Sequence, residues 1–240
     1  MADNTADATV GDLVTERPAR ARVFEQNGVD YCCNGADALS EACLKEGADL
    51  QSVLAKLAAV DAEPRGADEA DWSTASLAQL MAHIEATHHT YLKSDLPRIS
   101  ALATKTAAAH GAAHPNIIEV AELFQALRAE LEGHLQKEEV ILFPMIRLLE
   151  GSSELPQLHC GSVKNPIAVM EHEHDNAGAV LARLRELTDG YSTPDDVCNT
   201  YRALTDALAR LEQDLHLHIH KENSILHPRA AAREAQLASA

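Results

Sequence analysis

The segment His134-Leu-Gln-Lys-Glu-Glu-Val-Ile-Leu-Phe-Pro144 returns without a gap as His218-Ile-His-Lys-Glu-Asn-Ser-Ile-Leu-His-Pro228. The copies share His, Lys, Glu, Ile, Leu and Pro, and each closes a long stretch of helical periodicity. Such a repeat implies two helices facing each other as a pseudo-symmetric pair. On the first, the apolar stripe reads Val120, Phe124, Leu127, Leu131, His134, Glu138, Ile141 and Met145. On the second it reads Leu204, Leu208, Leu211, Leu215, His218, Glu222 and Ile225. Steps of four and three alternate, as the seam of a helix bundle requires. In the middle of both seams a His and a Glu replace apolar residues. Burying even a neutral polar group there costs about 2–7 kcal/mol. Two buried carboxylates, each one turn after a histidine, call for a compensating cation.

Two further helical patterns join these. One carries Ile167, Met170, His174, Ala177, Leu181, Leu184 and Thr188, which turns His174 inward and His172 outward. The other carries Leu77, Met81, Ile84, His88, Leu92 and Ile99, which centres His88 and leaves His89 at the edge of the stripe. Periodicity favours His88, but an edge position can also reach a site between helices. His216 and His220 point roughly 160–200° away from His218, an angle that predicts solvent exposure. The inventory is four inward histidines and two inward glutamates. That exceeds one tetrahedral zinc and is too nitrogen-rich for calcium or magnesium. Mixed imidazole and carboxylate donors suit iron or manganese, and two carboxylates can bridge two metals.

The four patterns span about 74–96, 115–149, 166–188 and 194–227, the first ending at Pro97. They predict an all-α chain with an antiparallel four-helix bundle. Scarce aromatics (3%) and only 11 Gly and 9 Pro in 240 residues agree. Upstream, short helices are expected at about 17–26, 36–46 and from Leu50 behind an Asp49 cap, with the tight turn Asp30 to Gly35 between the first two. The expected division is a small helical domain at 1–62, a polar linker at 63–73 and the bundle at 74–240. A unit of some sixty residues is marginal alone, so it should dock on the bundle or on a partner chain, and a homodimer is one such arrangement. A net charge of −17 argues against nucleic acid and anionic membrane as partners. The first residues have no secretory character and no run of about 18 apolar residues exists. Five cysteines, two of them adjacent, make a disulfide framework improbable and fit a reducing cytoplasm. Adjacent Cys32 and Cys33 read as thiolate donors, and Cys43, Cys160 and Cys198 as incidental.

Together these residues resemble the hemerythrin-like domain, and more closely the iron–sulfur cluster repair di-iron proteins. The resemblance rests on Val29-Asp-Tyr-Cys-Cys-Asn-Gly35, Lys137 to Ile146, Val169-Met-Glu-His-Glu-His-Asp175 and Glu222 to Pro228. It implies two non-haem irons, oxo- or hydroxo-bridged, held by His89, His134, His174 and His218 with Glu138 and Glu222 as bridges. The family's spacing of eight residues before Leu-Pro selects His89 over His88. It also implies a cytoplasmic stress protein that binds nitric oxide or dioxygen and serves iron–sulfur proteins as clients. Nitric oxide reduction at the irons would make it an enzyme. Glu173 and Glu130 are candidate supporting groups beside the ligands, and Cys32 and Cys33 candidate reactive thiols. His227 and the long loop 151–165 depart from the family's usual pattern.

Overall fold

The computed structural model describes residues 5–65 and 71–239. Positions 66–70, inside the expected linker, lie outside the described residues. Among the described residues the chain is helical throughout, with one isolated bridge between Thr9 and Ala38. No helix among the described residues is long and apolar enough to cross a membrane. Contacts divide the chain into two compact units, residues 81–215 and residues 1–80 with 216–240.

The first unit is the body of the four-helix bundle. Its helices are α6 (Thr90–His110), α7 (Asn116–Lys137) with its continuation α8 (Phe143–Gly151), α9 (Lys164–Leu187) and α10 (Asn199–His220) up to residue 215. One apolar cluster joins them, built from Leu92, Ile99, Phe124, Leu127, Leu181, Leu204 and Leu211 among others. The stripes read from sequence are therefore the faces that pack. Pro97 does not end the first helix, which runs on to His110. Leu96, Ile99 and Ala103 beyond it remain fully buried, whereas Pro97 faces water. The carbonyl that proline leaves without a partner is that of exposed Lys93, where solvent can satisfy it.

Wide π turns interrupt three helical stretches, at Glu85–His89 between α5 (Leu77–Ile84) and α6, at Glu138–Leu142 and at Lys221–Leu226. Each carries a predicted ligand. A π turn inserts one residue and rotates everything after it, and such turns concentrate at functional sites. It also frees a backbone acceptor–donor pairing at its exit, where proline is tolerated because it has no N–H to lose. Pro144 and Pro228 occupy those exits, in the first turn of α8 and of α11 (His227–Ala238). The fourth helix thus continues to Ala238 and does not stop at His227.

The second unit holds α1 (Val10–Glu16), a 3-10 turn at Pro18–Arg20, α2 (Ala21–Gln26), α3 (Leu39–Glu46) and α4 (Leu50–Ala62). The expected helix at 17–26 is therefore split, and α1, capped by Thr9 on the N–H of Asp12, precedes it. The Asp49 cap and the left-handed Gly47 stop stand as read. The same unit takes in the end of α10 and α11. Ile219 and Leu217 belong to the apolar cluster of Val10, Phe24, Tyr31, Leu39 and Leu57. This corrects the expectation for His220, which is 3% exposed and not solvent-facing. Its Nε2 lies 3.3 Å from Thr15 Oγ1, and its ring packs edge-on against Tyr31, as does that of His216. Burial holds the His220 imidazolium form down, with its pKa lowered to about 4.

Candidate metal centre

Within the bundle unit, His134 Nε2 is 3.2 Å from Glu138 Oε1, one turn along the same helix. His89 Nε2 is 3.3 Å from the other oxygen, Oε2. His174 Nε2 sits 3.1 Å from His134 Nε2. One carboxylate thus has a different imidazole at each oxygen, and all four residues are at most 4% exposed. His88, by contrast, places Nδ1 2.9 Å from Asp214. The two neighbouring histidines, both within the π turn that ends at His89, thus face different partners.

The outer ring nitrogens are held by carboxylates. His89 Nδ1 meets Glu139 Oε1 at 2.8 Å, and Lys93 Nζ bonds both oxygens of that glutamate. His134 Nδ1 meets Glu173 Oε2 at 2.9 Å, and Lys137 bonds the other oxygen. Burial raises the pKa of both glutamates, but the lysine and histidine hydrogen bonds outweigh it and hold them below the usual carboxylate range. A charged carboxylate on Nδ1 puts the imidazole proton there and aims the Nε2 lone pair at the interior. That is the arrangement metal-bound histidines need. Sequence reasoning named Glu173 but not Glu139. Glu139 sits directly after a ligand candidate and reads as a solvated charge until the π turn swings it towards His89. Glu130 is exposed.

In the other unit, His218 Nε2 is 3.1 Å from Glu222 Oε1, the same one-turn geometry as His134 and Glu138. Both residues are fully buried. Nearby in sequence, Asn223 donates to the backbone oxygen of Cys32 at 3.0 Å. The Cys32–Cys33 turn is built around Asp30, whose Oδ1 accepts the backbone N–H of both cysteines at 2.9 Å and the Cys32 thiol at 3.3 Å. The Cys33 thiol beside it, burial and the Asp30 charge push the Cys32 thiol well above the usual range.

Comparison with known proteins decides what this donor set belongs to. Residues 80–230 match the hemerythrin HHE cation binding domain, and residues 6–61 match a domain of unknown function, ScdA_N. The iron–sulfur cluster repair protein YtfE of Enterobacter sp. is 35% identical over 95% of this chain and 98% of its own length. Those of Citrobacter koseri and Escherichia coli O8 are 34% identical over the same shares. The chain belongs to the YtfE family of iron–sulfur cluster repair proteins. In this chain the hemerythrin HHE match spans the bundle helices, and the ScdA_N match spans the segment that carries the adjacent Cys32 and Cys33. Nitrogen and carboxylate donors with anchored outer nitrogens fit a first-row transition metal of the iron or manganese kind.

Proposed function

We propose that the chain holds two non-haem irons and uses them to bind nitric oxide and to supply iron for repair of damaged iron–sulfur clusters. The ligands in this reading are His89, His134, His174 and His218, with Glu138 and Glu222 bridging. The observation that carries it is Glu138, which presents one oxygen to His89 and the other to His134. A carboxylate placed so is suited to span two metals. The repeat assigns the same role to Glu222, and the hemerythrin HHE match supports a cation site over the stretch that contains all six residues. When bound, iron supplies an open position for a small diatomic ligand and a change of oxidation state.

The residues around it have separable tasks. Glu139 and Glu173 orient His89 and His134 and keep their protons on Nδ1. Lys93 and Lys137 keep those carboxylates charged. Leu131, Leu135 and Phe143, all buried, limit the entry of water. Ring stacking of Phe143 on His89, with centroids 5.6 Å apart, further restricts that imidazole. In this reading the protein works in the cytoplasm under nitrosative or oxidative stress, and its clients are iron–sulfur proteins, in keeping with the iron–sulfur cluster repair its relatives are named for.

A second reading keeps the same site and makes the protein a nitric oxide reductase. Anaerobic addition of nitric oxide to the reduced, iron-loaded protein separates the two. Stoichiometric nitrosyl formation with loss of iron to a chelator supports donation, and catalytic release of nitrous oxide supports reduction. Reversible dioxygen binding with no response to nitric oxide would contradict both.

A further inference from the structure

At the end of the bundle body where α6 finishes and α10 begins lies a second group of reactive side chains. Cys198 immediately precedes α10, and its backbone oxygen accepts the N–H of Tyr201 at 3.0 Å, the geometry of a helix N-cap. The backbone N–H groups of Thr200 and Tyr201 also point at its sulfur. From the end of α6, His110 places Nε2 3.1 Å from Sγ. The His110 ring is steadied edge-on by Tyr201, with centroids 5.7 Å apart, and lies beside His114. His114 in turn faces Asp196 at 3.3 Å. Cys198 itself is exposed.

Each element favours a negative sulfur. A helix N-terminus brings unpaired N–H donors and a partial positive charge. An imidazole N–H adds a direct hydrogen bond, and a cysteine in such a setting is a thiolate near neutral pH. The His110 hydrogen bond first, and the N–H groups of Tyr201 and Thr200 after it, bring the Cys198 pKa down to about 6. Cys32 is the opposite case, buried beside a carboxylate and held as a thiol.

We infer that Cys198, held by His110 and the α10 N-terminus, is a peroxide-reactive thiolate and the chain's site of reversible oxidation. Sulfur attacks one oxygen of a hydroperoxide, an S–O bond forms and the O–O bond breaks. The sulfur loses two electrons to the peroxide, and the departing hydroxide takes a proton from solvent. The product is a sulfenic acid at Cys198, which a small thiol caps as a mixed disulfide with release of water. This inference is independent of the metal reading, since none of these residues is a proposed ligand.

The test uses the full chain and reads each cysteine by mass spectrometry. Iodoacetamide labelling between pH 5 and 9 should give Cys198 a midpoint of about 6, against about 8.5 for an ordinary thiol. His110→Asn should raise that midpoint by more than one pH unit and slow labelling at pH 6.5 about tenfold. With hydrogen peroxide at pH 7, a dimedone adduct should form at Cys198 faster than at any other cysteine and vanish in Cys198→Ser. Serine preserves the cap, so that variant should keep its helical circular dichroism. A Cys198 midpoint near 8.5, or a His110→Asn variant with an unchanged midpoint, overturns the inference. So does faster peroxide modification of Cys32, Cys33 or Cys160.

Discussion

The two copies of the repeat share their inward residues and differ in what their outward residues do. In both, a buried His lies one turn before a buried Glu, at 3.2 Å in one and 3.1 Å in the other, and a π turn follows with proline at its exit. Outward, Glu139 of the first copy anchors His89, whereas Asn223 in the equivalent place of the second holds the Cys32 backbone. Val140 of the first is 66% exposed. Ser224, its counterpart, lies against Gly11 and Gly35, where an added Cβ would come within 2.8–2.9 Å of its hydroxyl. Gln136 is exposed and its counterpart His220 is buried. The inner frame is thus shared, while the outer face holds His89 in one copy and the small cysteine-bearing segment in the other.

Substituting the two glutamates tests the shared frame and should have the largest effect. Glu138→Ala and Glu222→Ala should each abolish stable metal binding, measured by metal content after gel filtration. If only one of them loses metal, the equivalence of the copies fails. Glu139→Gln and Asn223→Ala test the divergence. Losing the anchor of His89 should weaken metal binding about 10–100-fold in a chelator competition. Asn223→Ala should leave metal affinity unchanged and cost about 1 kcal/mol in denaturant unfolding.

Gly35→Ala sharpens the outer-face half of the comparison. Its Cβ would meet Ser224 Oγ at 2.9 Å and the Tyr31 oxygen at 3.0 Å, so a loss of about 1–3 kcal/mol is expected. Gly133→Ala, which meets open space mid-helix, should gain up to about 1 kcal/mol. Asp30→Ala should cost about 1 kcal/mol near pH 7. Burial raises the Asp30 pKa, but hydrogen bonds from Cys33, Cys32 and Asn34 outweigh it and leave the carboxyl below its ordinary value. Its stabilisation is therefore complete above the unfolded pKa of about 3.9 and is lost as pH falls through the lower folded value. Wild-type and variant stabilities should converge as pH falls below that lower value.

Much of this was readable from residue order. The seams of α7, α9 and α10 located His134, Glu138, His174, His218 and Glu222 on buried faces, because a heptad stripe states burial directly. What periodicity misses is a change of period. His88 and His89, within the π turn at Glu85–His89, are both buried on different partners, where a regular wheel centres only one of them. Glu139 was hidden for the same reason. The exit prolines are the signal that could have shown it, since Pro144 and Pro228 each fall six residues after a buried glutamate. His220 was misjudged because a wheel knows only one helix and not the second apolar cluster that covers its back. Cys198 read as incidental because His110, at the end of α6, meets it only in the fold.

Metal analysis of the protein as purified under anaerobic conditions tests the central reading most directly. Two irons per chain are expected, falling to background in Glu138→Ala. About one zinc per chain, or a metal content that Glu138→Ala does not change, would contradict it.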